Sequence, residues 1–305
     1  MIQSSPFVTI VLPVYNGENT LSETLNSLLH QSYSNFEILI GIDGTKDRSK
    51  DIAESFNDDR IRIIENEINL GLGPNLNKLI SNASRHSKYI AMAEQDDIYT
   101  NTRIEKQVAV MEQNTEVGLV SGIAEFVSDS GTLLFPDILV HGNQFPQGVD
   151  LFKYLYKNQL KVVNTCMMLR KQVHLDNALV FTDRYPNMNV DWDYVLRFSL
   201  VSNVYGIPEK LVTMNRKGSN TSVTTNKKMQ HETSRRLLLD FKKEFPDLIT
   251  ASDYKDALKF HRKIELGHHG KLGILLYSIS YFLLYFDAYF LKYPLMRIKK
   301  YFNKS

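Results

Sequence analysis

Asp43-Gly44-Thr45-Lys46-Asp47 follows the apolar run Phe36-Glu37-Ile38-Leu39-Ile40-Gly41-Ile42, and Glu94-Gln95-Asp96-Asp97 follows Tyr89-Ile90-Ala91-Met92-Ala93. Near-continuous apolar runs of this length read as strands of a parallel sheet, buried on both faces. In an open α/β sheet, ligands collect outside the carboxyl ends of the strands, so both acidic strings fall where a ligand would sit. Hard carboxylate oxygens suit Mg²⁺ or Mn²⁺, which bind through one or two carboxylates together with substrate phosphates. The two strings predict a metal-dependent enzyme acting on a nucleotide diphosphate.

Working outward, Val8-Thr9-Ile10-Val11-Leu12-Pro13-Val14 reads as the first strand. Asn19-Thr20 then opens a helix whose Leu21, Leu25, Leu28 and Leu29 recur at helical spacing. Strands over 37–42 and 61–64 alternate with helices over 49–56 and 73–84. This βαβα order predicts an α/β fold, a mostly parallel doubly wound sheet. Beyond Asp97 a helix over 101–113 and a strand over 117–122 precede a turn-rich stretch, 128–147. Helices are expected over 150–157 and near 192–201, with short strands over 165–169 and near 211–214. From Lys227 onward the pattern is helical, with Leu237, Leu238, Phe241 and Phe245 on one face. The expected domains are 1–225, with a nucleotide-sugar half (1–125) and an acceptor half (126–225), and a C-terminal helical region, 226–305.

The bulk chemistry narrows the class. With 305 residues, 43% of them apolar and 23% charged, the chain can bury a substantial core. A net charge of +2 argues against a dedicated nucleic-acid binder. The single cysteine, Cys166, excludes an internal disulfide or a thiolate zinc site and fits a reducing compartment. No basic and apolar leader precedes the first strand, so the expected location is cytoplasmic. Residues 272–295 form an apolar and aromatic stretch, interrupted by Asp287 and Lys292 and followed by Arg297, Lys299, Lys300 and Lys304. Charges near the centre of a spanning helix are costly, so an interfacial helix is expected, with membrane contact over 272–304 on the cytoplasmic face. The competing reading is a core-packing or dimer-forming helix.

Val11-Leu12-Pro13-Val14-Tyr15-Asn16, Asp43-Gly44-Thr45-Lys46-Asp47, Asn69-Leu70-Gly71, Asn77 and Glu94-Gln95-Asp96-Asp97 stand in this order. Together they resemble the family 2 inverting glycosyltransferases of the GT-A fold, bacterial surface-polysaccharide type, strongly over about the first 125 residues. Asn164 to Arg170, Asp191-Trp192-Asp193 with Arg197, and Asn215-Arg216-Lys217-Gly218-Ser219 continue the resemblance.

The resemblance implies a role for each matching position. Pro13, Tyr15, Asn16 and Glu18 form the nucleotide-binding lip, and Asp43 accepts a hydrogen bond from a pyrimidine imide, though the family's preceding aspartate is Ile42 here. Asp47 reads as a helix N-cap. Asp96 is the expected metal ligand, with Glu94 in the place of the family's first aspartate, toward the donor ribose or the metal. Arg216 and Lys217 reach for the diphosphate. Asn164, Thr165 and Arg170 shape the acceptor pocket. Asp191 is the expected catalytic base, with Asp193 as the competing candidate because its spacing to Arg197 also suits a helix ion pair. Trp192 either stacks on a sugar or packs. His141, His268 and His269 read as structural or surface groups.

The expected function is inverting transfer of a sugar from a UDP- or dTDP-sugar donor to a hydroxyl of a glycan or lipid-linked glycan, with Mg²⁺ or Mn²⁺ as cofactor. One rival is a non-catalytic nucleotide-binding protein on the same fold. Another is a nucleotidyltransferase, whose glycine-rich basic loop is replaced here by Pro13-Val14-Tyr15-Asn16-Gly17-Glu18.

Overall fold

The computed structural model describes residues 5–129, 131–136, 142–215 and 226–302, with side chains described as far as 298. The chain divides into two units, one of residues 1–155 and 160–223, the other of residues 156–159 and 224–305.

The first unit is built on one sheet, ordered β3-β2-β1-β4-β8-β6-β9-β5 with β7 beside β6. Its strands are β1 (Phe7–Val14), β2 (Phe36–Asp43), β3 (Ile61–Asn66), β4 (Ser87–Met92), β5 (Asp97–Tyr99), β6 (Val117–Ser128), β7 (Gly131–Phe135), β8 (Met168–Arg170) and β9 (Asn203–Asn215). β3, β2, β1 and β4 run parallel, with Val14 opposite Ile42 and Val11 opposite both Leu39 and Met92. The carboxyl ends of β1, β2 and β4 therefore share one edge of the sheet. β8 extends it, antiparallel to both β4 and β6, and β9 runs parallel to β6.

Strand periodicity explains why helices cover both faces. Val8, Ile10, Leu12 and Val14 share a core with Ile38, Ile40 and Ile42, over which lie Leu21, Leu25 and Leu28 of α1 (Leu21–Leu29) and Ile104, Val108 and Met111 of α4 (Arg103–Gln113). Each fully buried aliphatic side chain contributes about 1.5–3 kcal/mol. The alternate positions face α3 (Leu72–Asn82), which packs on β1 and β2. Gly41 permits that approach, since a Cβ there would lie 2.5 Å from Asn75 Oδ1 and 3.0 Å from Leu79. The short α2 (Ser49–Ser55) follows β2.

The later part departs from the sequence pattern in its details. β5 emerges directly from the second acidic string, and β7 occupies part of the stretch read as turns. Residues 164–166 form a single 3-10 turn before β8, and α6 (Lys171–Asp176) follows β8 directly. α5 (Gly148–Asn158) begins in the first unit and ends in the second, and α7 (Val190–Ser199) carries the Asp-Trp-Asp string.

The second unit contains α8 (Lys227–Glu244), α9 (Ala251–Leu266), α10 (Lys271–Tyr285) and α11 (Ala288–Phe302). α9 opens with a capping box between Thr250 and Asp253. The expected single interfacial helix is instead two helices. Phe286 adopts the left-handed conformation (φ 50°), and Asp287 Oδ1 accepts the Tyr289 amide at 2.9 Å while Lys263 lies 2.7 Å from Oδ2. Leu266, Ile274, Tyr281 and Phe290 form a small core, while Leu272, Leu276, Leu283, Leu284 and Phe286 are exposed. Among the described residues no helix is long and apolar enough to cross a membrane.

Candidate active site

Three loops leave the carboxyl edge of the sheet and are tied to one another through side chains. After β1, the Tyr15 amide donates to Gln95 Oε1 at 2.8 Å and Gln95 Nε2 donates to the Tyr15 carbonyl at 3.0 Å. A Cβ on Gly17 would stand 2.7 Å from that same Gln95 oxygen. Gln95, the second residue of the acidic string, thus holds the lip in place and leaves the Tyr15 ring exposed. The Asn16 amide donates to Thr45 Oγ1 at 3.0 Å, with Asn16 itself at a φ of 51°. Glu18 accepts the Arg48 amide at 3.3 Å and faces its guanidinium at 3.6 Å. Pro13 is partly buried in β1, opposite Gly41.

Asp47 is the junction between the first two loops. The cap position of α2 is Arg48 and not the expected Asp47; the Asp47 carboxylate accepts from the Ser49 amide (3.0 Å) and hydroxyl (2.6 Å), and also from the Glu18 amide (2.9 Å) and the Thr45 hydroxyl (2.6 Å). Desolvation alone would raise its pKa; the hydrogen bonds from Ser49, Thr45 and Glu18 prevail and lower it to about 2.

Asp43 is almost wholly buried at the end of β2. It accepts Asn66 Nδ2 (2.8 Å), the Leu70 amide (2.9 Å) and the Gly71 amide (3.0 Å). Three of about four acceptor positions of the carboxylate are thus occupied, and one is left over. Its visible work is to fold the Asn69-Leu70-Gly71 loop back onto the strand. Asn187 Oδ1 accepts the Leu72 amide at 2.7 Å, and Asn77 bonds the Phe181 carbonyl (2.8 Å) and amide (2.9 Å). Asn77 and Asn187 thereby fasten residues 181–187, the approach to α7, onto α3.

At the third loop Glu94, Asp96 and Asp97 bring one carboxylate oxygen each within 4.8 Å of one another. Glu94 and Asp96 are partly exposed and Asp97 is buried. Asn164 Nδ2 donates to Glu94 Oε1 at 2.8 Å, so the longer glutamate arm is held from the 3-10 turn. The Glu94 amide donates to the Tyr99 hydroxyl at 2.7 Å, which also lies 2.5 Å from Thr165 Oγ1. Burial, then the charge of Asp97, pushes the Tyr99 hydroxyl well above its ordinary pKa and keeps it protonated. Fully buried Arg103 sits 4.5 Å from the Tyr99 ring and donates to the Met92 carbonyl at 2.5 Å. A carboxylate triplet with two partly accessible members fits Mg²⁺ or Mn²⁺ by its hard-oxygen chemistry, with Asp96 and Glu94 as the accessible donors.

In α7 the two competing aspartates differ. Asp193 is 1% exposed and pairs with Arg197 Nε at 2.8 Å, the i, i+4 helix pair. Asp191 keeps some surface exposure while its carboxyl sits in a recess of protein atoms; desolvation raises its pKa against the opposing amide of Trp192, which donates to Oδ1 at 2.9 Å. Trp192 packs: it is 3% exposed and its indole donates to the Leu155 carbonyl at 3.2 Å. Thr165 and Arg170, expected in an acceptor pocket, are taken up inside the fold. Arg170 donates to the carbonyls of Met111 (2.9 Å) and Val117 (3.1 Å). Arg216, Lys217 and His141 lie outside the described residues.

Gln95, Asn187 and the junction role of Asp47 escape a reading of the sequence, because each acts through a partner far away in the chain. A cavity of about 650 Å³, lined by Phe7, Ser84, His86, Lys88 and Glu112, lies at the opposite edge, by the starts of β1 and β4. Its size alone gives it no claim to the chemistry; in an open α/β sheet ligands collect at the other edge, where the carboxylates lie.

Comparison with known proteins agrees with this arrangement. Residues 9–176 match the family model described as glycosyl transferase family 2. The chain is 28% identical to an uncharacterized glycosyltransferase of Haemophilus influenzae, over 77% of this chain and 73% of that one. It is 28% identical to the Escherichia coli UDP-Glc:alpha-D-GlcNAc-diphosphoundecaprenol beta-1,3-glucosyltransferase WfgD, over 72% of this chain and 80% of that one. Among solved structures, residues 1–349 of S. aureus TarS with UDP-GlcNAc superpose with a TM-score of 0.60 at 13% identity, covering 88% of this chain and 83% of that one. The mannosyltransferase PcManGT of Pyrobaculum calidifontis, with GDP-Man and Mn²⁺, superposes with a TM-score of 0.57 at 13% identity, covering 97% and 85%. These neighbours share the GT-A fold. With its parallel sheet, its loops gathered at one edge and a family match over more than half its length, the chain belongs to glycosyl transferase family 2 and is a glycosyltransferase.

Proposed function

We propose that this glycosyltransferase moves a sugar from a UDP- or dTDP-sugar to a hydroxyl of a lipid-linked glycan, with inversion at the anomeric carbon, in surface-polysaccharide assembly. The relation to WfgD, named for a UDP-Glc donor and a diphosphoundecaprenol-linked acceptor, supports both donor class and acceptor class. The observation that carries the mechanism is the contrast within α7: Asp193 is consumed by Arg197, whereas Asp191 retains exposure and a raised pKa. A carboxylate with a raised pKa is the better general base near neutrality, and such a base typically contributes 10²–10⁴-fold. The Tyr15 ring lies open to stack on a base, and Asp43 is proposed as the acceptor of an imide N–H. When bound at Asp96 and Glu94, a divalent cation neutralises charge on the diphosphate leaving group. Arg216 is proposed to add a positive charge there.

Two further parts of the reading concern the whole chain. Residues 1–225 are proposed as the catalytic domain and 226–305 as a helical region that meets the cytoplasmic face of a membrane. The exposed Leu272, Leu276, Leu283, Leu284 and Phe286 support the second, as does their basic neighbourhood. The test is Asp191→Asn beside Asp193→Asn, assayed with UDP- and dTDP-sugars and a lipid-diphosphate acceptor. Asp191→Asn is expected to lose at least about 100-fold in kcat while still binding nucleotide. Full activity in that variant would remove Asp191 from the role of base.

A further inference from the structure

The C-terminal unit brings together histidines that lie far apart in sequence. His231 Nδ1 is 3.3 Å from His261 Nε2, and His231 Nε2 is 3.0 Å from His268 Nδ1. Gln159 Nε2 stands 2.6 Å from His261 Nδ1. With the Gln159 amide donating, the network assigns each tautomer in turn. His261 Nε2–H donates to His231, and His231 Nε2–H donates to His268. His268 is then left with Nε2–H as a donor. One imidazole cannot offer both nitrogens to the same metal ion, so this linear chain is a relay of hydrogen bonds and not a chelating set.

The chain borders a cavity of about 420 Å³, within the range of small-ligand sites. Four cations line it, Lys227, Lys228, Arg235 and Arg262, against two carboxylates, Glu232 and Glu265. Glu265 is shared between Arg235 (2.6 Å) and Arg262 (2.5 Å), so it neutralises only part of that charge. Two buried atoms of the lining have no hydrogen-bond partner among the described residues, Arg262 Nε and His269 Nε2. Both atoms are closed off from the cavity space, so the donors open to a ligand are those of the exposed Lys227, Lys228 and His268. Tyr277 and Tyr281 of α10 complete the wall, and the same helix exposes Leu272, Leu275, Leu276 and Ile279.

We propose that this cavity is a binding pocket for a phosphate group, of the monoester or diphosphate kind, beside the apolar surface of α10. The exposed Lys227, Lys228 and His268 line the cavity together with Arg235 and Arg262, and their N–H donors suit the several oxygens of one phosphate group. The phosphate is carried either by a lipid headgroup or by a soluble molecule. Recognition of phosphate is independent of the donor site; a lipid as its carrier rests on the membrane reading of the same unit.

The test uses the full chain labelled with ¹⁵N-histidine, in the presence of a chelator, titrated with inorganic pyrophosphate. The His268 ring resonances are expected to shift and saturate, unchanged in Asp96→Asn, which controls for binding at the acidic loops. By calorimetry, Lys227→Gln with Lys228→Gln is expected to weaken binding about tenfold or more, and His268→Gln, which removes no formal charge at about pH 8, several-fold. Vesicles of phosphatidylcholine with and without phosphatidic acid identify the carrier. Retention that depends on phosphatidic acid and is reduced by His268→Gln assigns a lipid; pyrophosphate binding without that gain assigns a soluble phosphate. Unmoved histidine resonances, or pyrophosphate affinity indifferent to these variants, overturn the pocket, even where neutral vesicles still bind and the membrane reading stands.

Discussion

At the scale of single residues, the site is held by side chains that bridge loops rather than by those facing solvent. Asp47 is the clearest case, since one carboxylate accepts four hydrogen bonds from three residues of two loops. Its folded pKa lies below the ordinary carboxylate value, near 2. The resulting stability is fully present above the unfolded value near 3.8 and is lost as pH falls through about 2. Because the group is partly exposed, solvent screening reduces its worth to about 1 kcal/mol. Asp47→Asn is expected to lower stability at neutral pH by that amount, and the gap from the parent protein should close toward about pH 2. Urea denaturation at several pH values measures both, and an unchanged midpoint at neutral pH would rule out the junction. Asp47 reads as the N-cap in the sequence, but the cap position of α2 is Arg48, without a side-chain cap bond, and Asp47 stands one residue before it. Its hold on Glu18 was not legible, because the contact spans 29 residues.

At the scale of elements, hydrophobic periodicity marked the first strands and helices well because β1, β2 and β4 are buried on both faces, and continuous apolar runs leave no ambiguity. Where pairing is antiparallel or the strand is short, the signal fades. The three-residue β5 and the exposed β7 take their shape from their neighbours β9 and β6. The apolar stretch near the C-terminus shows the same limit. Its composition suggested one helix, but Asp287 works as a cap for a second, and Phe286 turns the chain. Asp287→Ala is expected to cost about 1 kcal/mol and to admit protease near residues 286–287. Limited proteolysis alongside thermal unfolding checks this; identical cleavage patterns would show that the turn does not depend on the cap.

At the scale of the whole molecule, buried histidines predict an acid response. Burial holds the pKa of His174 and His231 at about 4 and that of His261 at about 3, below the usual 6.5. Neutral imidazoles are thus preferred in the folded chain, so stability is complete above 6.5 and declines as pH falls through about 4. Calorimetric melting points are expected to fall across that window, less steeply in His261→Gln. A flat profile above about pH 4 would mean these imidazoles are already open to solvent.

The amino-acid sequence by itself determined the α/β class, the carboxyl-edge location of the acidic strings and the family. Those features follow from apolar runs and short motifs, whose information is local. Only the tertiary structure decided which partners each carboxylate meets. It buried Asp193 against Arg197, turned Asp43 onto the Leu70 and Gly71 amides, set Gln95 on the Tyr15 backbone and assembled His231, His261 and His268 into one chain. A side chain's accessibility and its hydrogen-bond partners come from residues brought near by folding, and no window along the sequence contains them.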